Sequence, residues 1–500
     1  MDYQSSRGQV SSVSAAQAIT SGISPDGGLF LPDYIPILDA TILEAMENWT
    51  YQERAVYILR QFLTDFSEEE IKECVYAAYN EENFDDEKIA PLVKINNKLF
   101  VQELWHGPTC AFKDMALQIL PHFLTKSARK INETKEIIIL VATSGDTGKA
   151  ALEGFKDVAG TRIIVFFPED GVSEVQKRQM VTQEGNNVYV AGVVGNFDDA
   201  QNGVKRIFGD ENIIARLGHA GMRMSSANSI NWGRLLPQIV YYVSAYVDLK
   251  QRGAIKAGEK VNIVVPTGNF GNILAAYYAM RMGIPVNRLI CAANTNNVLT
   301  EFIRTGVYNR NRTFEKTISP SMDILISSNL ERLLYEVTEH NSEKVSAWMK
   351  ELKENGIYQV DEATASIIQQ LFWSDFCSDD ETIDAIKSTW DRENYLLDTH
   401  TAVAFNVYQK FCAATGDNHT TIIASTASPF KFGSSVAQGV FSPEQIEGQS
   451  EFAVLNILAD ATGWPIPEAI RGLEQREIRH NVVTSCSDME KTVLAFLGIK

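Results

Sequence analysis

Six cysteines in 500 residues, at positions 74, 110, 291, 377, 412 and 486, are too few and too scattered for a disulfide scaffold. None forms a Cys-x-x-Cys pair, and no metal-ligand spacing links them to the seven histidines, so no metal is expected. The longest apolar runs, such as Ile137–Ala142 and Ile163–Phe167, are strand-sized and far short of the roughly 20 residues a membrane helix needs. The opening stretch Met1-Asp2-Tyr3-Gln4-Ser5-Ser6-Arg7 lacks the apolar core of a signal peptide, which leads us to expect a cytoplasmic protein with reduced thiols. Positive charge is in deficit: 45 Lys and Arg against 63 Asp and Glu leave −18, the reverse of a nucleic-acid footprint. The acidity favours solubility and selects no function. Apolar residues make up 45 % of the chain, which excludes a mainly disordered protein. The length calls for about three domains or one two-lobed enzyme.

Short apolar, β-branched runs recur at Ile137–Ala142, Arg162–Phe167, Val188–Gly192, Val261–Val265, Arg288–Ala293 and Thr420–Ala424. Unbroken runs bounded by turn residues predict strands buried on both faces. Helix-like stretches alternate with them at Lys149–Lys156, Val175–Glu184, Phe197–Gly209 and Ile273–Met282, which predicts an α/β fold with mainly parallel sheets. Ligands then bind at the strand C-terminal edge. Residues 1–92 read as a mostly helical lead-in lobe, with a capping box at Ser67-Glu68-Glu69-Glu70. Residues 329–393 are helical and acid-rich and read as an insertion, and 446–500 as a mostly helical C-terminal segment. That leaves 93–328 and 394–445 for the α/β lobes.

Four segments carry chemistry. Lys113 lies between a strand-like run, Leu99–Leu104, and an apolar-periodic helix. Desolvation and the helix dipole there disfavour its charge, and a neutral lysine can form a Schiff base with an aldehyde cofactor. Alone, it also reads as an ordinary surface lysine. Thr143-Ser144-Gly145-Asp146-Thr147-Gly148 joins a strand to a helix and offers backbone N–H groups to an anion. Its Gly145-x-x-Gly148-Lys149 spacing is too short for a nucleotide P-loop, and a tight capped turn would look the same. Gly268-Asn269-Phe270-Gly271-Asn272 is a second glycine-rich strand-to-helix loop, suited to a phosphate. Ser425-Thr426-Ala427-Ser428 ends a buried strand in hydroxyls, which strand-end capping alone would explain.

In this order the four segments resemble fold-type II pyridoxal-phosphate enzymes, the class of the tryptophan synthase β chain. More closely, Trp105–Asp114 is similar to the lysine signature of the threonine synthases of the long, yeast- and enterobacterial-like type. Tyr3–Gly8 resembles their N-terminal motif, with Ser6 in place of threonine. Gly22–Pro32, Met224–Arg234, Ser327–Leu333 and Leu397–Val403 resemble further stretches of that family. The resemblance implies two α/β lobes with parallel-sheet cores, and pyridoxal 5'-phosphate as cofactor. Lys113 would form the Schiff base, Gly268, Asn269, Phe270, Gly271 and Asn272 would hold the cofactor phosphate, and Thr426 would meet the pyridine nitrogen. Ser144, Gly145, Asp146 and Thr147 would take the substrate α-carboxylate, and Asn228, Asn231 and Arg234 its phosphate. Two stretches depart from the family: Ser428 and Phe430 replace histidine and alanine, and Asp398–Ala404 differs near His400.

The implied activity is conversion of O-phospho-L-homoserine and water to L-threonine and phosphate by γ-elimination and β-addition of water, the last step of threonine biosynthesis. The expected partner is this small molecule, with no nucleic acid and no membrane, in a monomer or homodimer. Two rivals stay open: a dehydratase or sister lyase on the same fold, and an inert relative that binds a metabolite.

Overall fold

A computed structural model describes residues 1–143, 145–169 and 172–499. Two sheets form its core. The larger has six strands in the order Phe372–Phe376, Val286–Ala293, Val261–Pro266, Thr420–Ser425, Leu99–Glu103 and Leu92–Lys94. All neighbours are parallel except the last pair. The smaller has five parallel strands, Val482–Ser485, Val188–Val194, Thr161–Pro168, Glu136–Ala142 and Met222–Ser225. The runs Ile137–Val141 and Ile163–Phe167 are buried on both faces, as parallel strands covered by helices must be. The helix Trp232–Gln251 is apolar on nearly all sides and packs against helices from both the N-terminal region and the large lobe.

The predicted helices form at Asp146–Phe155, Glu174–Val181, Phe197–Gly209 and Gly271–Arg281. Three begin earlier than their apolar periodicity, the first and last of the four by two or three residues because glycine-bearing loops feed straight into them. The Ser67 box is reciprocal: Ser67 Oγ accepts from Glu70 N at 3.2 Å, and Glu70 Oε2 accepts from Ser67 N at 2.8 Å.

Two readings of the chain's organisation change. Residues 329–393 are largely helical, yet Phe372–Phe376 pairs in parallel with Leu289–Ala293 and forms the edge of the large sheet. The segment completes that sheet instead of standing apart. Its strand signal is weak because an edge strand is half-covered, and Ser374 and Asp375 interrupt the apolar run. Likewise Val482–Ser485, within the C-terminal segment, adds the outer strand of the small sheet. The N-terminal lobe is helical apart from a two-stranded ribbon, Tyr3–Ser5 with Phe30–Pro32. All six cysteines are free. Among the described residues, no helix is long and apolar enough to cross a membrane, and no cluster of three His, Cys, Asp or Glu could hold a metal.

Candidate active site

Lys113 stands just after the large-sheet strand Leu99–Glu103, at the start of the short helix Asp114–Leu117. The loop before it wraps around Asp114, whose carboxylate accepts from Thr109 N at 2.8 Å and Thr109 Oγ1 at 2.6 Å. A Cβ at Gly107 would lie 2.5 Å from that of Asp114, so only glycine lets the loop close. Burial pushes the Asp114 carboxyl up to about 6. Phe112 N donates to Thr426 O at 2.8 Å, which ties the lysine turn to the end of the neighbouring strand.

The Lys113 side chain is buried, with Nζ 3.2 Å from both Asp146 Oδ2 and Ser321 Oγ. Burial lowers its pKa; Asp146 opposes this, and the Lys431 and Arg234 charges lower it further. Asp146 belongs to the helix that follows the small sheet, so this pair bridges the two lobes. Its other oxygen lies 3.3 Å from Nζ of the fully buried Lys431 and accepts from Gln176 Nε2 at 2.9 Å. Burial alone would raise the Asp146 carboxyl, but Lys431 and Lys113 outweigh it and hold the group well below the usual carboxylate range. Ser321 Oγ also donates to Asp146 Oδ2 at 3.0 Å, and Ser321 N donates to His400 Nε2 at 3.2 Å. His400 therefore carries its proton on Nδ1, facing Asp398 Oδ1 at 3.0 Å.

Lys431, Ser321 and Gln176 were not among the residues predicted for the site. Lys431 carries one local signal, a charge flanked by Phe430 and Phe432 after a buried strand. Ser321 and Gln176 carry none, since their role comes from tertiary packing.

The loop Gly268–Asn272 ends the strand Val261–Pro266 and opens the helix Gly271–Arg281. Phe270 is left-handed, with φ 62°. A Cβ at Gly268 would sit 2.4 Å from Ser321 O, which puts this loop against the Lys113 site. The buried Asn272 Nδ2 has no hydrogen-bond partner among the described residues. The Thr426 side chain is 5 % exposed, and no hydrogen bond from its hydroxyl is found among the described residues. A buried lysine of lowered pKa, a helix N-terminus entered through a glycine with no room for a Cβ, an unpaired amide and a free hydroxyl are a donor set that fits pyridoxal 5'-phosphate. Gly268→Ala is expected to force the loop off Ser321 and weaken cofactor binding by at least about tenfold, read by titration of the visible cofactor band.

The other expected residues divide. Gly145 has φ 135° and faces Gln176, whose Nε2 would lie 2.4 Å from an added Cβ. It caps the helix on which Asp146 and Thr147 occupy the first turn. Ser144 lies outside the described residues. Arg234 is 3 % exposed, donates Nη1 to Ala227 O at 2.9 Å and leaves Nε unpaired. Burial brings its pKa down to about 10. Asn228 is exposed. Asn231 is spent on structure: Oδ1 caps Gly233 N at 2.9 Å and Nδ2 donates to Ile19 O at 3.0 Å. Ser428 N donates to Cys110 O at 3.0 Å, and Phe430 packs in the core beside it, so both departures support the wall of the site.

The chain matches the family model for the threonine synthase N terminus over residues 2–79 and that for pyridoxal-phosphate-dependent enzymes over 84–372. Human threonine synthase-like 1 is 42 % identical over 446 residues, which cover 86 % of this chain and 58 % of that protein. This chain thus spans about three fifths of the length of such relatives. Threonine synthase of Schizosaccharomyces pombe is 38 % identical, with 87 % of this chain and 88 % of that protein covered. Among solved structures, PLP-bound threonine synthase from Brucella melitensis superposes with a TM-score of 0.87 at 34 % identity, over 99 % of both chains. The yeast enzyme gives 0.88 at 32 %, again over 99 % of both. Matched along nearly its whole length by threonine synthases in sequence and in fold, the chain belongs to the threonine synthase family of fold-type II pyridoxal-phosphate-dependent enzymes.

Proposed function

We propose that this chain converts O-phospho-L-homoserine and water to L-threonine and inorganic phosphate, as the last step of threonine biosynthesis. The observation that carries the reading is Arg234, a buried guanidinium with no carboxylate partner among the described residues. It stands near enough to Lys113 to depress that amine's pKa. A buried cation without a counter-ion is costly until a ligand brings the negative charge, and a phosphate monoester does so through a planar fork. The cofactor phosphate has its own loop at Gly268–Asn272, which reserves Arg234 for the substrate's phosphate.

Bound pyridoxal 5'-phosphate supplies the electron sink that makes the substrate α-proton acidic. Lys113, whose burial favours the neutral amine, is the base at the α-carbon. Asp146 stays ionised and takes no proton; it orients the Lys113 and Lys431 side chains. The turn Gly145–Thr147 presents its amides to the α-carboxylate. One proton moves from the β- to the γ-carbon as phosphate leaves, water's hydroxyl takes the β-position, and water's remaining proton goes to the phosphate. Closure of the lobes across the Lys113–Asp146 contact keeps bulk water from the site until addition. The same reading makes the protein a cytoplasmic monomer or homodimer, in keeping with its six free thiols.

Arg234→Gln is expected to raise KM for O-phospho-L-homoserine about 100-fold, the scale of one lost buried charge contact, with the cofactor band intact. An unchanged KM in that variant would remove Arg234 from the phosphate site.

A further inference from the structure

Three stretches that stand out in the sequence, Tyr3–Gly8, Gly22–Pro32 and Ser327–Leu333, play no part in the chemistry above. In the fold they meet. Ser6 Oγ donates to Glu331 Oε1 at 2.6 Å and accepts from Leu29 N at 2.8 Å. Arg7 grips the same carboxylate, with Nε to Oε1 at 3.0 Å and Nη2 to Oε2 at 3.1 Å. The next residue, Arg332, is fully buried and spans three segments. It donates Nε to Phe30 O at 3.0 Å, Nη2 to Ile230 O at 2.6 Å and Nη1 to Asn329 Oδ1 at 2.5 Å. Asn329, also fully buried, donates backbone N and Nδ2 to Asn269 O at 3.1 and 3.0 Å. Ser327 Oγ donates to Gly268 O at 2.7 Å.

A chain of hydrogen bonds therefore runs from Phe30 of the N-terminal ribbon through Arg332 and Asn329 to Asn269 O, and Ser327 holds the neighbouring carbonyl of Gly268. In a trans peptide the carbonyl and the following N–H point opposite ways. Binding Gly268 O and Asn269 O from one side turns the amides of Asn269 and Phe270 to the other. The left-handed Phe270 fits this picture, because a non-glycine residue there costs about 1–3 kcal/mol and persists only where its surroundings fix it.

We propose that Asn329 and Arg332 are positioning residues for the cofactor-phosphate loop, held in register by the Ser6–Arg7 grip on Glu331. This rests on the reading of Gly268–Asn272 as the phosphate site. The test titrates cofactor-free protein with pyridoxal 5'-phosphate and, separately, with pyridoxal, which has no phosphate, reading the visible band. Asn329→Asp keeps the acceptor for Arg332 and the backbone bond to Asn269 O, and removes the Nδ2 donor that Asn269 O shares with Ser229 O. It is expected to cost about tenfold in affinity for pyridoxal 5'-phosphate and to leave pyridoxal unchanged within about twofold. Arg7→Gln, at the partly exposed end, acts in the same sense by about threefold, and decides the matter alone if Asn329→Asp does not fold. Folded variants that keep the wild-type preference for the phosphorylated form overturn the positioning role. If the wild-type protein shows no such preference, the phosphate-loop reading itself fails, and this proposal with it.

Discussion

Lys113→Ala is expected to fold and to show neither turnover nor the visible band of bound cofactor. The side chain is buried, yet its two contacts, with Asp146 and Ser321, leave both partners other hydrogen bonds when it goes. On the proposed mechanism, truncation removes the amine that captures the cofactor and serves as base. A single general-base role is worth about 10²–10⁴-fold, and loss of the covalent attachment adds to it, so the residual rate should fall below detection. The wild-type amine carries a further signature. Its pKa lies below the roughly 10.4 of a solvated lysine, because burial and the Lys431 and Arg234 charges outweigh Asp146. Capture of cofactor by the apo protein needs the neutral amine, so its rate should rise with pH to a midpoint below that value. A Lys113→Ala protein that retains both band and turnover would remove the lysine from the mechanism.

Asp146→Asn has the second largest effect, and it separates structure from chemistry. The carboxylate is the anion between Lys113 and Lys431, and Lys431 has no exposed surface. Taking one charge from a buried cluster costs about 3–5 kcal/mol, because the ions left behind are uncompensated. Urea denaturation measures this as a fall in midpoint at constant slope. The chemical effect has a fixed sign. Asp146 raises the Lys113 pKa, so its loss moves the midpoint of cofactor capture to lower pH, away from that of ordinary lysine. A variant with wild-type stability, or a midpoint displaced upward, would contradict the cluster as described.

Much of this architecture is readable from the chain because parallel strands covered on both faces need unbroken apolar runs. Ile137–Ala142 and Thr420–Ala424 announce themselves in that way. The segments that follow them carry glycine in the first case and hydroxyl residues in both, which suit a ligand at the strand ends, and that too is visible. Charge partnership is not. Asp146, Lys431 and Ser321 lie hundreds of residues apart or on different lobes, and only the fold brings them to Lys113. Asn231 shows a second thing the sequence hides: an asparagine near an arginine suits phosphate binding, and the fold also uses its side-chain oxygen to cap the helix Trp232–Gln251. The edge strand Phe372–Phe376 is hidden because half of it needs no apolar cover. The N-terminal motif was legible as a pattern, and its physical content, the Ser6 and Arg7 contacts to Glu331, emerges only across 325 positions of chain.

The central claim is the reaction itself. Purified protein loaded with pyridoxal 5'-phosphate should be incubated with O-phospho-L-homoserine, and phosphate and organic products quantified in the same sample. The account predicts phosphate and L-threonine in equal amounts and no keto acid. Phosphate accompanied by 2-oxobutanoate or vinylglycine in place of threonine, or no phosphate at all from the fully loaded protein, would contradict it.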